Sequence, residues 1–240
     1  MIEDRAMSLK TEERKIIDSI ILPLILVCLM GAVWAMSAIG GWELGFLGVH
    51  PRHWDGLPGI ITSPFIHADF SHLASNAIPM LVLGSSLIYF YKDIALRVFL
   101  VIYIATGLMV WIGARPSWHI GASGVVYGLA AFVFVSGLIR KHTGLMAMAL
   151  IVAFLYGSMI WGLFPEFFPG EPISWESHLF GIFSGVIVAW FYRKEGPKSK
   201  EPEWDEEEDE EDSAPDDADA YWKNTLSDDE IREIKRTYRP

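Results

Sequence analysis

Six apolar stretches, each about 20 residues long, follow one another in the first 194 residues and restrict the fold more than any other feature. The first runs from Ile16 to Ile39, and the others cover roughly residues 71–91, 94–113, 122–139, 144–164 and 175–192. A helix of that length spans the hydrocarbon core of a bilayer. Hydrophobic residues make up 52% of the chain, which is too apolar for an ordinary soluble domain and excludes a soluble hydrolase. The sequence therefore predicts an all-α, polytopic membrane protein with six transmembrane helices.

The distribution of lysine and arginine predicts the orientation of these helices. Residues 1–15 form a short polar segment with four positive charges. Later positive charges concentrate at every second helix end, at Lys92, Arg97, Arg140, Lys141, Arg193 and Lys194. The opposite ends carry Arg52 and Arg115 alone. Because cytoplasmic loops hold the excess of Lys and Arg, both termini are predicted to be cytoplasmic in a multi-pass protein of the cell membrane.

The acidity of the chain belongs to its C-terminal tail. Of the formal net charge of -11, residues 197–240 contribute -10, since they hold 17 Asp and Glu against 7 Lys and Arg. Such a segment cannot bury a core, so residues 195–240 are predicted to be a mostly disordered cytoplasmic tail. Ser227 and Glu230 have capping-box spacing, which predicts a short C-terminal helix. The tail either serves solubility alone or docks an unidentified partner or the membrane surface. The predicted division is therefore a 1–15 N-terminus, a 16–194 membrane domain and this tail.

Three of the predicted helices begin on the outer side and carry polar residues in their first turns. His72 and Asn76 lie in the second helix, Ser123 in the fourth and His178 in the sixth. The preceding segment 40–66 is rich in proline, glycine and tryptophan and is predicted to be an external loop. Polar groups are costly at membrane depth and usually face the interior of a bundle. These four side chains therefore predict one site near the outer surface.

Ser123 lies between Gly121 and Gly124 in the sequence His-Ile-Gly-Ala-Ser-Gly-Val-Val-Tyr-Gly. A serine hydroxyl becomes a nucleophile when a neighbouring base takes its proton, and His178 is the candidate base. Gly121 allows a tight turn before the serine. Glycines four residues apart mark one face on each of two helices, Gly124 with Gly128 and Gly181 with Gly185. Such faces let two backbones approach closely, which favours a Ser–His dyad.

Acyl transfer also needs hydrogen-bond donors for the oxyanion. The backbone N–H groups of Ala122 and Ser123 lie at a helix start, where they have no partner within the helix. The side chains of His72 and Asn76, four residues apart on one helical face, can also donate. These groups are the candidates for an oxyanion hole.

Three other side chains near the predicted site have structural interpretations. Tyr127, one helical turn after Ser123, either stacks on the imidazole of His178 or packs in the core. His67 precedes the second helix and is expected to brace the loop. His119 is expected to be an interfacial residue.

Several motifs combine in this chain, namely Gly121-Ala122-Ser123-Gly124 with Tyr127-Gly128, His178-x-x-Gly181, and His67 with His72 and Asn76. Over most of the range from 62 to 185, this combination resembles the rhomboid family of intramembrane serine proteases. The resemblance implies that Ser123 is the nucleophile and His178 the general base. It also implies an oxyanion hole of His72, Asn76 and the Ser123 backbone, with Tyr127 stacked on His178.

For the whole molecule, the resemblance implies six helices around a water-filled cavity that opens to the outside. It further implies cleavage of single-span membrane proteins in the lipid bilayer, near their outer membrane boundary. Many relatives carry a Trp-Arg pair in the first external loop, whereas the matching place here is Pro58-Gly59. No cofactor, metal or nucleic acid is expected.

Two other functions remain as alternatives. A catalytically inactive relative would bind or escort membrane proteins, although such proteins typically lack the serine or the histidine. A metal site or transporter could use histidines and a glutamate of the outer half, namely His67, His72, His119, His178 and Glu176. The spacing of these residues matches no recognised zinc motif, and the one cysteine, Cys28, excludes a cysteine-based metal site.

Overall fold

The structure, a computed structural model, describes residues 2–155, 174–197 and 232. Within these ranges the chain forms six helices of more than ten residues and no extended strand. Their bounds are α1 Ile2–Gly40, α2 Phe70–Phe90, α3 Ala95–Gly113, α4 Ser123–Ile139, α5 Thr143–Leu155 and α6 Trp175–Phe191. Three stretches are long and apolar enough to cross a membrane, namely Leu9–Gly40, α2 and α3, while α4, α5 and α6 are shorter and apolar. The prediction of an all-helical, polytopic membrane protein is confirmed.

The helix boundaries agree with the sequence within one residue for α2, α3, α4 and α6. In contrast, α1 begins at Ile2 rather than Ile16, so the predicted polar N-terminal segment continues the first helix. Glu, Lys and Arg are good helix formers, and Glu12 pairs with Lys15 at 2.6 Å along this extension. The predicted end of the fifth helix, the tail and its C-terminal helix lie outside the described residues, except for residues 195–197 and Arg232. The chain divides into two units, 1–199 and 200–240.

Helix α4 forms the centre of the bundle. Leu129, Phe132 and Val133 on this helix are fully buried. Its glycine face meets the glycine face of α6, because a Cβ atom added at Gly181 would lie 2.0 Å from the carbonyl oxygen of Gly124. The predicted close approach of these two helices is therefore confirmed, and it brings the first turn of α6 next to the start of α4.

The loop between α1 and α2, which is the outer loop of the predicted topology, lies at the end of the bundle where α4 begins and contains short helical turns at Leu44–Leu47, Trp54–Gly56, Gly59–Thr62 and Ser63–Phe65. Val49 exchanges two backbone hydrogen bonds with His119, at 2.9 and 2.8 Å, and so ties the loop to the segment before α4. Gly59 packs directly on the backbone of Gly48, since a Cβ there would lie 2.0 Å from the Gly48 carbonyl oxygen. The Pro58-Gly59 sequence therefore builds a close turn-to-turn contact that a larger residue at 59 would block.

Positive residues meet at the opposite end of the bundle. Arg140, after α4, donates to the carbonyl oxygens of Tyr192 at 2.8 Å and Arg193 at 3.0 Å, which follow α6. The Arg140 guanidinium also lies over the ring of Tyr91, 5.8 Å from its centroid. This clamp joins the ends of α2, α4 and α6 on one side, so their first turns share the other side.

Candidate active site

Ser123 is the first residue of α4, and a glycine turn sets its position. Gly121 has φ +100°, a conformation that L residues with a side chain rarely adopt. Its N–H donates to the carbonyl oxygen of Ser63 at 2.9 Å, which anchors the turn to the outer loop. A Cβ atom at position 121 would also lie 2.6 Å from Nε2 of His72. Glycine is thus required here by both backbone conformation and space.

His178 meets Ser123 across the glycine contact between α4 and α6. Its Nε2 lies 2.9 Å from Oγ of Ser123, within hydrogen-bond distance. The imidazole is buried and stacks on the ring of Tyr127, with centroids 4.2 Å apart and an interplanar angle of 9°. The ring stack limits rotation of the imidazole, and the geometry allows Nε2 to accept the serine proton.

His72 approaches the same turn from α2, and Asn76 follows it one helical turn later. Asp69 caps this helix, because its carboxylate accepts from the N–H of His72 at 2.8 Å. The His72 ring lies against Gly121, two residues before Ser123. Asn76 is buried, and its Nδ2 donates to the carbonyl oxygen of His72 at 2.7 Å. One N–H of this amide is thus engaged within α2, which leaves the other for a second acceptor.

His67 packs behind His72, with the two rings edge to face and their centroids 5.0 Å apart. Burial, and to a smaller extent the neighbouring His72, lowers the pKa of His67 to about 4. The imidazole is therefore neutral at neutral pH, which suits a side chain that packs beneath the loop rather than one that carries charge.

The prediction that His119 is an interfacial residue is wrong, because only 3% of its surface is exposed. The backbone bridge to Val49 turns this residue inward. Its Nδ1 pairs with the hydroxyl of Ser174, and its Nε2 lies 3.0 Å from the carbonyl oxygen of Arg115. Burial lowers the pKa of His119, so the ring links the segment before α4 to the start of α6 as a neutral group.

The sequence offered Glu176 as a possible metal ligand, but its pairing with Arg115 was not predicted. Glu176, two residues before His178, is buried and lies 3.5 Å from Nε of Arg115. Its Oε1 also accepts from the N–H of Arg115 at 3.4 Å. The available signal was the position of a glutamate in the first turn of an apolar helix, where a charged group needs a partner.

The histidines of the alternative metal site do not assemble into one. In the part of the chain that the structure describes, the only group of three or more metal-binding side chains with donor atoms within 4.8 Å is His50, His53 and Asp55. His67, His72, His119, His178 and Glu176 belong to no such group. The geometry at Ser123 is instead that of a serine and a base with neighbouring hydrogen-bond donors.

Comparisons with known proteins identify a family model and several relatives that are similar to this chain. A family model described as "Rhomboid domain" matches residues 54–195. An uncharacterized protein of Mycobacterium tuberculosis is 34% identical over 170 residues, which cover 68% of this chain and 71% of the relative. An uncharacterized protein of Mycobacterium leprae is 33% identical over 149 residues, 60% of this chain and 59% of the relative. Rhomboid-related protein 2 of Mus musculus is 26% identical over 139 residues, 54% of this chain and 46% of the relative.

Proposed function

The chain belongs to the rhomboid family, and from this premise we propose that it is an intramembrane serine endopeptidase with a Ser123–His178 dyad. The observation that carries the proposal is the 2.9 Å separation of Ser123 Oγ and His178 Nε2 at the outer end of the bundle. A serine needs a base at this distance to act as a nucleophile at neutral pH.

The proposed reaction is acyl transfer in two steps. His178 takes the proton of Ser123 as Oγ attacks the scissile carbonyl carbon, and then gives that proton to the leaving amine as the peptide bond breaks. Water then attacks the acyl-enzyme ester, again with His178 as base, and Ser123 regains its proton. The stack on Tyr127 supports this role because it holds the imidazole in one orientation through both transfers.

The negative charge on the substrate oxygen needs preorganised donors. We assign this role to the backbone N–H groups of Ala122 and Ser123 and to the side chains of His72 and Asn76. The contact of His72 with Gly121 supports the assignment, since it brings an imidazole N–H next to the turn that carries the nucleophile. Gly121 and Gly181 are supporting residues in this proposal because both allow close contact between the elements that hold the site.

The substrates we propose are single-span membrane proteins, cut near their outer membrane boundary. The site lies at the end of α4 and α6 opposite the Arg140 clamp, and the excess of Lys and Arg favours a cytoplasmic location for the clamp. Both termini would then be cytoplasmic in the cell membrane, with residues 16–194 as the membrane domain and 195–240 as the tail.

The decisive experiment is to label the purified, detergent-solubilised full chain with a fluorophosphonate and map the modified residue. We expect modification at Ser123, loss of labelling in Ser123→Ala and His178→Ala, and loss of cleavage of a model single-span substrate in both variants. Thermal unfolding should show that both variants remain folded. A folded wild-type protein that neither reacts nor cleaves would favour the alternative, an inactive relative that binds or escorts membrane proteins.

A further inference from the structure

The outer loop contains a cluster of metal-binding side chains that the proposed proteolysis does not use. The donor atoms of His50, His53 and Asp55 all lie within 4.8 Å of one another. We propose that these three side chains bind a divalent transition-metal ion such as Zn²⁺ on the outer face of the protein. The site is separate from Ser123 and His178, and its occupancy does not depend on the proposed activity.

Local turn chemistry brings the two histidines together. The segment His50-Pro51-Arg52-His53 closes a reverse turn, in which the N–H of His53 donates to the carbonyl oxygen of His50 at 3.3 Å. Proline in the second position and a positive φ in the third, +63° at Arg52, are features of a type II turn. The turn sets the two imidazoles side by side, with centroids 4.0 Å apart and nearly parallel rings.

A second turn brings the carboxylate of Asp55 close to the two histidines. The helical turn Trp54–Gly56 follows His53 directly, and it brings Asp55 Oδ1 to 3.3 Å from Nδ1 of His50. Gly56 makes this return feasible, because a Cβ atom there would lie 2.3 Å from the backbone N and O of His50. The sequence from 50 to 56 therefore builds a two-histidine, one-carboxylate group from adjacent residues.

The backbone of the cluster is held by long-range hydrogen bonds. The N–H of Arg52 donates to the carbonyl oxygen of Trp111 at 2.9 Å, and its guanidinium donates to that of Ala114 at 2.9 Å. The indole N–H of Trp111 donates to the carbonyl oxygen of His53, also at 2.9 Å. Because the loop is already ordered, metal binding costs little further backbone entropy.

These contacts explain why Arg52 keeps a positive φ. A non-glycine residue in this region is strained by about 1 kcal/mol or more and persists when its surroundings hold it. Here the two hydrogen bonds of Arg52 hold the turn, and the turn aligns the two histidines.

The donor set selects the class of metal. Imidazole nitrogen with a carboxylate oxygen suits Zn²⁺ and neighbouring transition metals, whereas Mg²⁺ and Ca²⁺ prefer oxygen ligands alone. A tetrahedral Zn²⁺ with bonds of about 2.0–2.2 Å needs donor atoms about 3.4 Å apart. The three side chains must therefore move closer together, and one imidazole ring must rotate out of the parallel stack. His53 and Asp55 are exposed, while His50 packs on Trp118 with centroids 4.4 Å apart. Three protein ligands leave the fourth position for water.

The test is calorimetric titration of Zn²⁺ into the full chain, purified in detergent through a histidine-free tag and treated with EDTA. We expect about one ion per chain with a dissociation constant on the order of micromolar. His53→Ala and Asp55→Asn should each weaken binding by about tenfold or more. The matched controls His142→Ala and Asp93→Asn, which change a histidine and a carboxylate outside the cluster, should bind as the wild type does.

Thermal unfolding supplies a second, independent measurement. An ion that binds the folded state alone raises the unfolding temperature, so Zn²⁺ should stabilise the wild type and the two controls but not His53→Ala or Asp55→Asn. In EDTA the wild type, His53→Ala and Asp55→Asn should unfold at similar temperatures, because residues 53 and 55 are exposed. The proposal is overturned if the wild type shows no saturable Zn²⁺ binding tighter than about 100 μM, or if Asp55→Asn and His53→Ala bind Zn²⁺ as tightly as the wild type.

Discussion

At the scale of single residues, the proposed mechanism has the groups around Ser123 act at different stages. His178 contacts the serine hydroxyl in the ground state. His72 lies against Gly121, and Asn76 donates to the His72 carbonyl oxygen. In the proposed mechanism these two side chains would instead act on charge that forms on a substrate oxygen. Substitution of the two kinds of residue should therefore give different kinetic signatures.

We expect Asn76→Ala to lower turnover by roughly tenfold or more and His72→Ala to lower it further, with little change in the Michaelis constant. Both donors would act on charge that is present in the transition state alone. Fluorophosphonate labelling of Ser123 should be slower but detectable in both variants. The measurement is steady-state cleavage of a single-span substrate.

Ser75→Ala is the matched control for Asn76. The Ser75 hydroxyl donates to the same His72 carbonyl oxygen, at 2.9 Å, but Ser75 is no oxyanion donor in this proposal. Removal of the Ser75 hydroxyl should leave turnover within about twofold of the wild type. A raised Michaelis constant with unchanged turnover in Asn76→Ala would assign Asn76 to substrate binding instead.

His67 should make the folded state sensitive to acid. Burial lowers its pKa to about 4 in the folded protein, whereas an unfolded histidine titrates near 6.5. The unfolded state thus binds more protons between these values, so this contribution to stability is complete above pH about 6.5 and is lost as pH falls toward 4. A shift of this size corresponds to about 3 kcal/mol.

The measurement is the unfolding temperature between pH 7.5 and 4.5 for the wild type and His67→Gln, whose side chain stays neutral. The wild type should lose more stability than the variant over this range. Parallel curves for the two proteins would show that another group, such as the buried His119, causes the acid sensitivity.

At the scale of elements, the contact between α4 and α6 decides whether Ser123 and His178 meet. The atoms in contact are backbone atoms, with the Gly124 carbonyl oxygen against Gly181. A backbone cannot rotate away as a flexible side chain can, so added volume here must move one helix.

Gly181→Ala should therefore abolish fluorophosphonate labelling and lower the unfolding temperature, although alanine favours helix by about 1 kcal/mol over glycine. Overpacking costs about 1–3 kcal/mol and separates α6 from α4. Gly31→Ala in α1 is the control, since a Cβ there meets no atom within 4 Å. Wild-type labelling and stability in Gly181→Ala would contradict the backbone contact.

At the scale of the whole molecule, the membrane unit and the acidic tail differ in composition: apolar side chains dominate the first and negative charges the second. The chain divides into two units, residues 1–199 and residues 200–240. Apolar side chains cover the outer surface of the first, including Ile25, Leu29 and Trp190, as a lipid environment requires. The negative charge is concentrated in the second.

Removal of residues 200–240 should leave the rate of cleavage in detergent nearly unchanged. The proposed site lies at the first turns of α4 and α6, whereas the tail follows the last turn of α6 in the chain. A longer truncation that starts at Lys194 also removes Glu195, whose carbonyl oxygen accepts from Arg140, and it should lower the unfolding temperature. A severalfold loss of turnover at equal folded concentration in the shorter truncation would show that the tail is coupled to the site.

Local sequence patterns were sufficient to predict four of the helices and the residues that begin them. Apolar length and the rarity of polar groups at membrane depth are local properties, so the bounds of α2, α3, α4 and α6 could be predicted within one residue. Glycine spacing also predicted the faces of α4 and α6 that meet. The candidates Ser123 and His178 followed from these two local signals.

Only the tertiary structure decided which loop residues turn inward and which pairs they form. His119 is buried because Val49, 70 positions earlier, holds its backbone, and Glu176 is buried because Arg115 lies beside it. Likewise, Trp111 and Ala114 hold the turn that aligns His50 with His53. These contacts join residues far apart in sequence. Their hydrogen-bond partners are chosen by the packing of the helices, which no local pattern of residues contains.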